Sequence, residues 1–351
     1  MRYNLLFSFL ALVSFAATAF AETVVYVSVS GEQRVIAHSL EENSGKLSVI
    51  NEVELSGGPG SLAMHPSGQY LYASVRGTGH LAAMHVGKDG GLVLINETPV
   101  DADPSYVMID RAGKYVISAY YRAGKVMVHE IGKDGSLSSQ PIQSIDTDEK
   151  AHAAVRDPSG KFVFIPHTGP NAIFQFRFDP TSGKLFPNDP PKLVRDGKAG
   201  PRHLWFHPKR PIAFGSDEQG SSITSYDLSD KGQLSKKETL STLPSGYSDK
   251  NSTSDIEVHP SGKFVYVANR GHDSIAGFSI DDDGSLKSLG TTPTEKTPRS
   301  FNISPNGRHL IAAGQNSGRL ALYQINDDGS LKQFATTEVG TKPWWVLITE
   351  K

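Results

Sequence analysis

Seven times along this chain a polar residue, a glycine, one variable residue and a leucine follow in order. The copies are NSGKL (43–47), KDGGL (88–92), KDGSL (133–137), TSGKL (181–185), DKGQL (230–234) and DDGSL at both 282–286 and 327–331. Their glycines, Gly45, Gly90, Gly135, Gly183, Gly232, Gly284 and Gly329, are spaced by 45 to 52 residues. Asp-Gly and Ser-Gly pairs supply the positive φ that tight hairpins need. A calcium loop is the competing reading of DDDGSL, but the copies share the glycine rather than a ligand set.

A second turn interleaves with the first: HPSG (65–68), DRAG (110–113), DPSG (157–160), HPKR (207–210), HPSG (259–262) and SPNG (304–307). Each separates two short apolar runs, and His65, His207 and His259 read as turn residues. Each unit then becomes strand a, HPSG-type turn, strand b, loop, strand c, glycine turn, strand d. Four strands in each period of this length mark the blade of a β-propeller. No long helical periodicity competes, and WD repeats fit badly because no Trp-Asp dipeptide occurs.

Seven glycine turns stand against six HPSG-type turns. The difference is explained if the chain enters at strand b (24–29), continues through 34–39 and 47–55, and ends on an isolated strand a at 344–348. That last strand would complete the first blade, three strands plus one, and close the ring, so that no sheet edge stays open. The expected fold is an all-β, seven-bladed propeller with four antiparallel strands per blade, in one domain over 22–351.

The first 21 residues end in Ala19-Phe20-Ala21 after Arg2 and a short apolar run. They read as a secretory signal peptide and imply a periplasmic protein without a membrane anchor. No cysteine occurs, so disulfides and thiolate chemistry are excluded. A formal net charge of -2 argues against nucleic acid as a partner. A closed ring is expected to be a monomer.

Register places distant residues together. The start of strand a falls at Gly60, Ser105, His152, Arg202, Ser254, Arg299 and, in the closing copy, Trp344. The end of strand b falls at Arg76, Tyr121, Thr168, Glu218, Arg270, Gln315 and Ser30. Antiparallel pairing sets both rings at one mouth of the central channel. The mouth therefore gathers Arg76, Arg202, Arg270 and Arg299 around one acid, Glu218, with His152 present and His203 and His167 expected nearby. Arginines bind carboxylate or phosphate in bidentate fashion. A carboxylate can orient water, and an imidazole can give or take a proton. A polar channel rim holding only water is the plain alternative. Two long connections, 186–200 and 241–254, are expected to lie over the same mouth. No nucleophile elbow, metalloprotease helix or phosphate loop occurs, and no metal or other cofactor is expected.

The strings AGPRHLWFHP (199–208), ANRGHDSIAGFSIDDDGSL (268–286) and TPRSFNISPNGRHLIAAGQNSG (297–318) resemble the seven-bladed propeller lactonase family. That family includes bacterial propeller-type 6-phosphogluconolactonases and fungal carboxymuconate-lactonising enzymes. The resemblance implies a catalytic set of His152, Arg202, Glu218 and Arg270, needing no metal, for interconversion of a lactone and its acid. Arg299, His203, Arg76, Trp344 and Gln315 are the expected substrate-binding residues. The export signal departs from the cytoplasmic sugar-phosphate role and points to an unphosphorylated aldonolactone such as gluconolactone. The competing readings are a non-catalytic propeller that binds a small anion or a protein, and a cycloisomerase of the muconate type.

Overall fold

The computed structural model describes residues 23–351; the signal-peptide reading of 1–21 lies outside them. Among the described residues twenty-eight strands, β1 to β28 in chain order, form seven four-stranded antiparallel sheets. Among the described residues the only helical element is a 3-10 turn at Ser30–Glu32, and no helix is long and apolar enough to cross a membrane.

The first sheet has the order β28-β1-β2-β3. Its members are β1 (Thr23–Val29), β2 (Arg34–Glu41), β3 (Lys46–Glu54) and β28 (Pro343–Glu350). The last strand pairs antiparallel with the first, from Thr23 opposite Glu350 to Val29 opposite Pro343, as the turn count requires. Val24 through Val27 and Val29 are wholly buried.

The two repeated turns hold neighbouring blades together. His65 Nε2 lies 2.9 Å from the Gly113 carbonyl, His207 Nε2 3.1 Å from that of Gly262, and His259 Nε2 2.8 Å from that of Gly307. Each histidine thus reaches the glycine of the next HPSG-type turn. A Cβ on Gly307 would meet the His259 ring, and its φ of +74° already favours glycine. On the outer side, Tyr72 and Tyr266 donate to the Gly135 and Gly329 carbonyls at 2.8 Å. Apolar clusters fill the gaps between adjacent sheets; one joins Phe214 and Val258, another Phe164 and Leu204.

Two expectations need correction. Most of 186–200 is not a loop over the mouth. β15 runs through Lys184–Val194 as the fourth strand of its sheet, interrupted by an irregularity between Phe174 and Phe176 of its partner. Only 195–200 and 242–251 connect strands there.

Candidate functional site

The site is built on the first strands of the blades, which are neighbours around the central channel. In β16 (Pro201–Phe206), Pro201 pairs with Asp217 and His203 with Ser216 of β17 (Ile212–Asp217). Arg202 is therefore the extra residue of a β-bulge. The same break occurs in β24 (Pro298–Ile303), where Pro298 pairs with Gly314 and Ser300 with Ala313 of β25 (His309–Gly314), leaving out Arg299. It occurs again in β28, where Trp344 is skipped between Pro343 and Trp345. A bulge re-aims the inserted side chain, and here it turns Arg202, Arg299 and Trp344 inward.

These side chains close a cavity of ≈200 Å³ with Arg76, Ser105, Tyr121, His152, Glu218, Arg270 and Trp345. Glu218 is its centre. Its Oε2 lies 3.2 Å from Arg202 Nε, 3.4 Å from Arg270 Nη2 and 3.9 Å from His152 Nε2. Both groups line the cavity; the Glu218 side chain is 22 % exposed against 2 % for Arg202, so the carboxylate is the more open of the two. Arg270 also donates to the Thr253 carbonyl at 2.8 Å. On the opposite wall the Arg299 guanidinium stacks 3.6 Å from the Trp344 ring centre, and that of Arg76 lies 4.9 Å from it. Cation–π contact with the ring holds each of them there.

Four guanidinium groups and one carboxylate thus line the cavity. Burial, then the charge of Arg270, lowers the Arg202 pKa to about 10; burial, then Arg202, Arg270 and Arg76, lowers that of Arg299 strongly. Arg202 remains a cation at neutral pH. Burial and then Arg202, His203, Arg299 and Arg270 hold His152 well below the ordinary imidazole range, so its ring is neutral. The buried Nε atoms of Arg202, Arg270 and Arg299 have no hydrogen-bond partner among the described residues, the 3.2 Å approach of Arg202 Nε to Glu218 being an ion-pair contact. Donors and surplus positive charge together favour an anion or a group that becomes one.

Several expected residues sit elsewhere. His203 does not line the cavity; it is 4 % exposed and lies behind Arg202, because the bulge turns successive side chains apart. Gln315 lines a separate surface depression with Glu32, Asn316 and Lys342, reaching the site only through a 3.5 Å contact to Arg299 Nη1. Its position beyond the end of β25 carries it outward. His167 is wholly buried, with Nδ1 2.9 Å from the Ile165 carbonyl and Nε2 2.9 Å from Thr147 Oγ1. Asp217, the acid that adjoins Glu218 in the chain, is turned away from the cavity and paired with Arg195, Ser222 and Thr224. Trp345, in contact with Tyr106 and His203, was not anticipated; alternation along the strand sets it opposite Trp344, and only the bulge brings both to the wall.

A larger open depression of ≈340 Å³ lies at the other end of the channel strands, between Asp157, His207 and Arg210. Its chemistry is already spent: Arg210 donates to the Asp281 carbonyl at 2.8 Å, and His207 Nδ1 accepts from the Lys209 and Arg210 amides at 3.0 Å. Among the described residues no cluster of three or more His, Asp or Glu could hold a metal ion.

A family profile described as lactonase, seven-bladed β-propeller, matches residues 23–348. A 6-phosphogluconolactonase of Pectobacterium carotovorum is 31% identical over 281 residues, 80% of this chain and 70% of that protein. One from Erwinia tasmaniensis is 33% identical over 283 residues, 80% of this chain and 71% of its own length. Among solved structures, a Pseudomonas aeruginosa periplasmic gluconolactonase superposes with a TM-score of 0.87 at 23% identity, covering 94% of this chain and 99% of that one.

Proposed function

The chain belongs to the seven-bladed β-propeller lactonase family, and on that premise we propose that it is an exported hydrolase opening a small sugar-type lactone to its acid. One observation carries the reading: Arg202, Arg270 and His152 converge on a single oxygen of Glu218, within 3.9 Å, at the wall of a cavity sized for one small ring.

In the proposed reaction, water held by the Glu218 carboxylate adds to the lactone carbonyl and gives its proton to that carboxylate. The developing oxyanion lies among the Arg202 and Arg270 donors, whose fixed charge stabilises it without reorganisation. Collapse breaks the ring C–O bond. The proton on Glu218 passes to the departing alkoxide by way of neutral His152, restoring the carboxylate, and the product carboxylic acid gives its own proton to solvent and leaves as a carboxylate. General acid–base assistance of this kind contributes about 10²–10⁴-fold.

Export rests on the leader-like residues 1–21, and the Pseudomonas aeruginosa structural neighbour is described as a periplasmic gluconolactonase. An aldonolactone, whose product bears one carboxylate, suits that location. The surplus of arginine also suits a lactone carrying phosphate, the substrate after which the Pectobacterium and Erwinia relatives are named.

The test is acid release at fixed pH from gluconolactone, 6-phosphogluconolactone and a muconolactone, corrected for spontaneous opening. Turnover of a sugar lactone is expected. Saturable binding of gluconate with no turnover of any of the three would instead make this a binding propeller.

A further inference from the structure

Behind the cavity wall, His203 links Arg202 to a buried acid. His203 Nδ1 lies 2.8 Å from Asp255 Oδ1, and Nε2 lies 3.1 Å from Arg202 Nη1. A guanidinium can only donate. Nε2 therefore accepts, and the ring proton sits on Nδ1, donated to Asp255. Asp255 is fixed in turn: Oδ1 accepts from the Ile256 amide at 3.0 Å and Oδ2 from the Phe301 amide of the next blade at 3.3 Å. His203 and Asp255 are 4 % and 3 % exposed, and no substrate could touch either.

We propose that His203 and Asp255 are a positioning pair for Arg202, the imidazole lone pair holding one guanidinium N–H so that the Nε edge faces Glu218. The bulge makes this necessary. Arg202 is skipped by the ladder, and a long flexible side chain would otherwise lose entropy in holding one geometry. The anchors come from three blades, since Asp255 lies in β20 (Ser252–Val258) and Phe301 in β24. The aim of Arg202 is thus set by closure of the ring rather than by its own strand.

The groups facing His203 agree with this. The Tyr106 ring is 5.4 Å away and that of His152 5.1 Å, both edge-on. Burial raises the Tyr106 phenol strongly and keeps it neutral. Glu218 lies beyond Arg202. Glu257, two residues from Asp255, has its carboxyl raised by burial and by Asp255. Burial, then Arg202, lowers the His203 pKa to about 4, against the pull of Asp255.

The proposal rests on the reading of Arg202 as a substrate-binding residue, but its first test is independent of turnover. Ring ¹⁵N shifts of the full chain should find His203 as the Nδ1–H tautomer at pH 7. Arg202→Ala should raise the protonation pH of His203 by about one unit or more, because Asp255 is then its charged neighbour. A proton on Nε2 in the wild type, or an unchanged titration in Arg202→Ala, overturns the proposal whether or not a lactone is opened. With gluconolactone as probe, His203→Leu should lose about 10–100-fold in kcat/KM. His203→Gln, whose amide oxygen can accept from Arg202, should recover most of that loss; a Gln variant no better than Leu would contradict the role. Absence of wild-type turnover would count against the lactonase reading alone, with the tautomer still deciding this one.

Discussion

Replacing Glu218 by glutamine keeps the shape of the site and removes its one negative charge. Contacts of 3.2 and 3.4 Å to Arg202 and Arg270 correspond to about 5 kcal/mol of gross attraction each at an effective dielectric near 20. Desolvation offsets most of this. With the carboxylate side chain 22 % exposed, the net stability loss should be about 1–3 kcal/mol, visible as a lower Tm in a folded protein. Turnover should suffer far more, because the proposed proton acceptor is gone: about 10²–10⁴-fold in kcat. KM for an anionic lactone should not rise, since four arginines remain. The assay is acid release at fixed pH, with folding checked by near-UV circular dichroism. A folded Glu218→Gln protein keeping more than about a tenth of wild-type kcat, against the expected range, would refute the acid–base role.

Three further outcomes follow from the geometry. Arg299→Ala removes a cation stacked on Trp344 that no carboxylate neutralises; KM should rise about tenfold with little change in kcat, and more for 6-phosphogluconolactone than for gluconolactone, whereas an equal effect on both would deny it a role in anion binding. Deleting 343–351 exposes β1 and takes away the buried side chains of Val346 and Ile348 that pack on it; at about 1.5–3 kcal/mol per side chain plus the lost ladder, this approaches a typical net stability, so the truncated chain should aggregate and a peptide of 343–351 should rescue it. His129, His167 and His203 are lowered to about 4, chiefly by burial; because the unfolded chain binds these protons first, stability is complete above pH 6.5 and falls toward pH 4. At pH 5 each costs about 2 kcal/mol, partly offset by Glu257, whose raised carboxyl acts in the opposite sense. The urea midpoint should fall between pH 7 and pH 5, and less so in His129→Phe, whose ring nitrogens have no partner to lose; equal midpoints would contradict the assignment.

The fold was legible because its turns are chemical as well as repetitive. The glycines at 113, 262 and 307 sit where a neighbouring histidine leaves no room for a side chain. The unequal turn counts foretold the pairing of β28 with β1. The rings of residues at strand ends brought His152, Arg202, Glu218 and Arg270 together before any coordinates did, since antiparallel pairing fixes which ends meet. What register could not supply was the bulge. It decides that Arg202 faces the cavity while His203 faces Asp255, and that Trp344 and Trp345 share one wall. Gln315 escaped for a related reason: it follows the last ladder residue, where strand direction no longer dictates the side chain's course. The outer strand at Lys184–Val194 looked like a loop because its prolines and Asn188 break the alternation.

A structure of the protein with gluconate bound would test the account most directly. The carboxylate should lie in the channel mouth, within hydrogen-bond reach of Arg202 or Arg270 and beside Glu218, with Trp344 and Arg299 forming the far wall. Gluconate bound anywhere else on the ring, with that cavity left unoccupied, would contradict it.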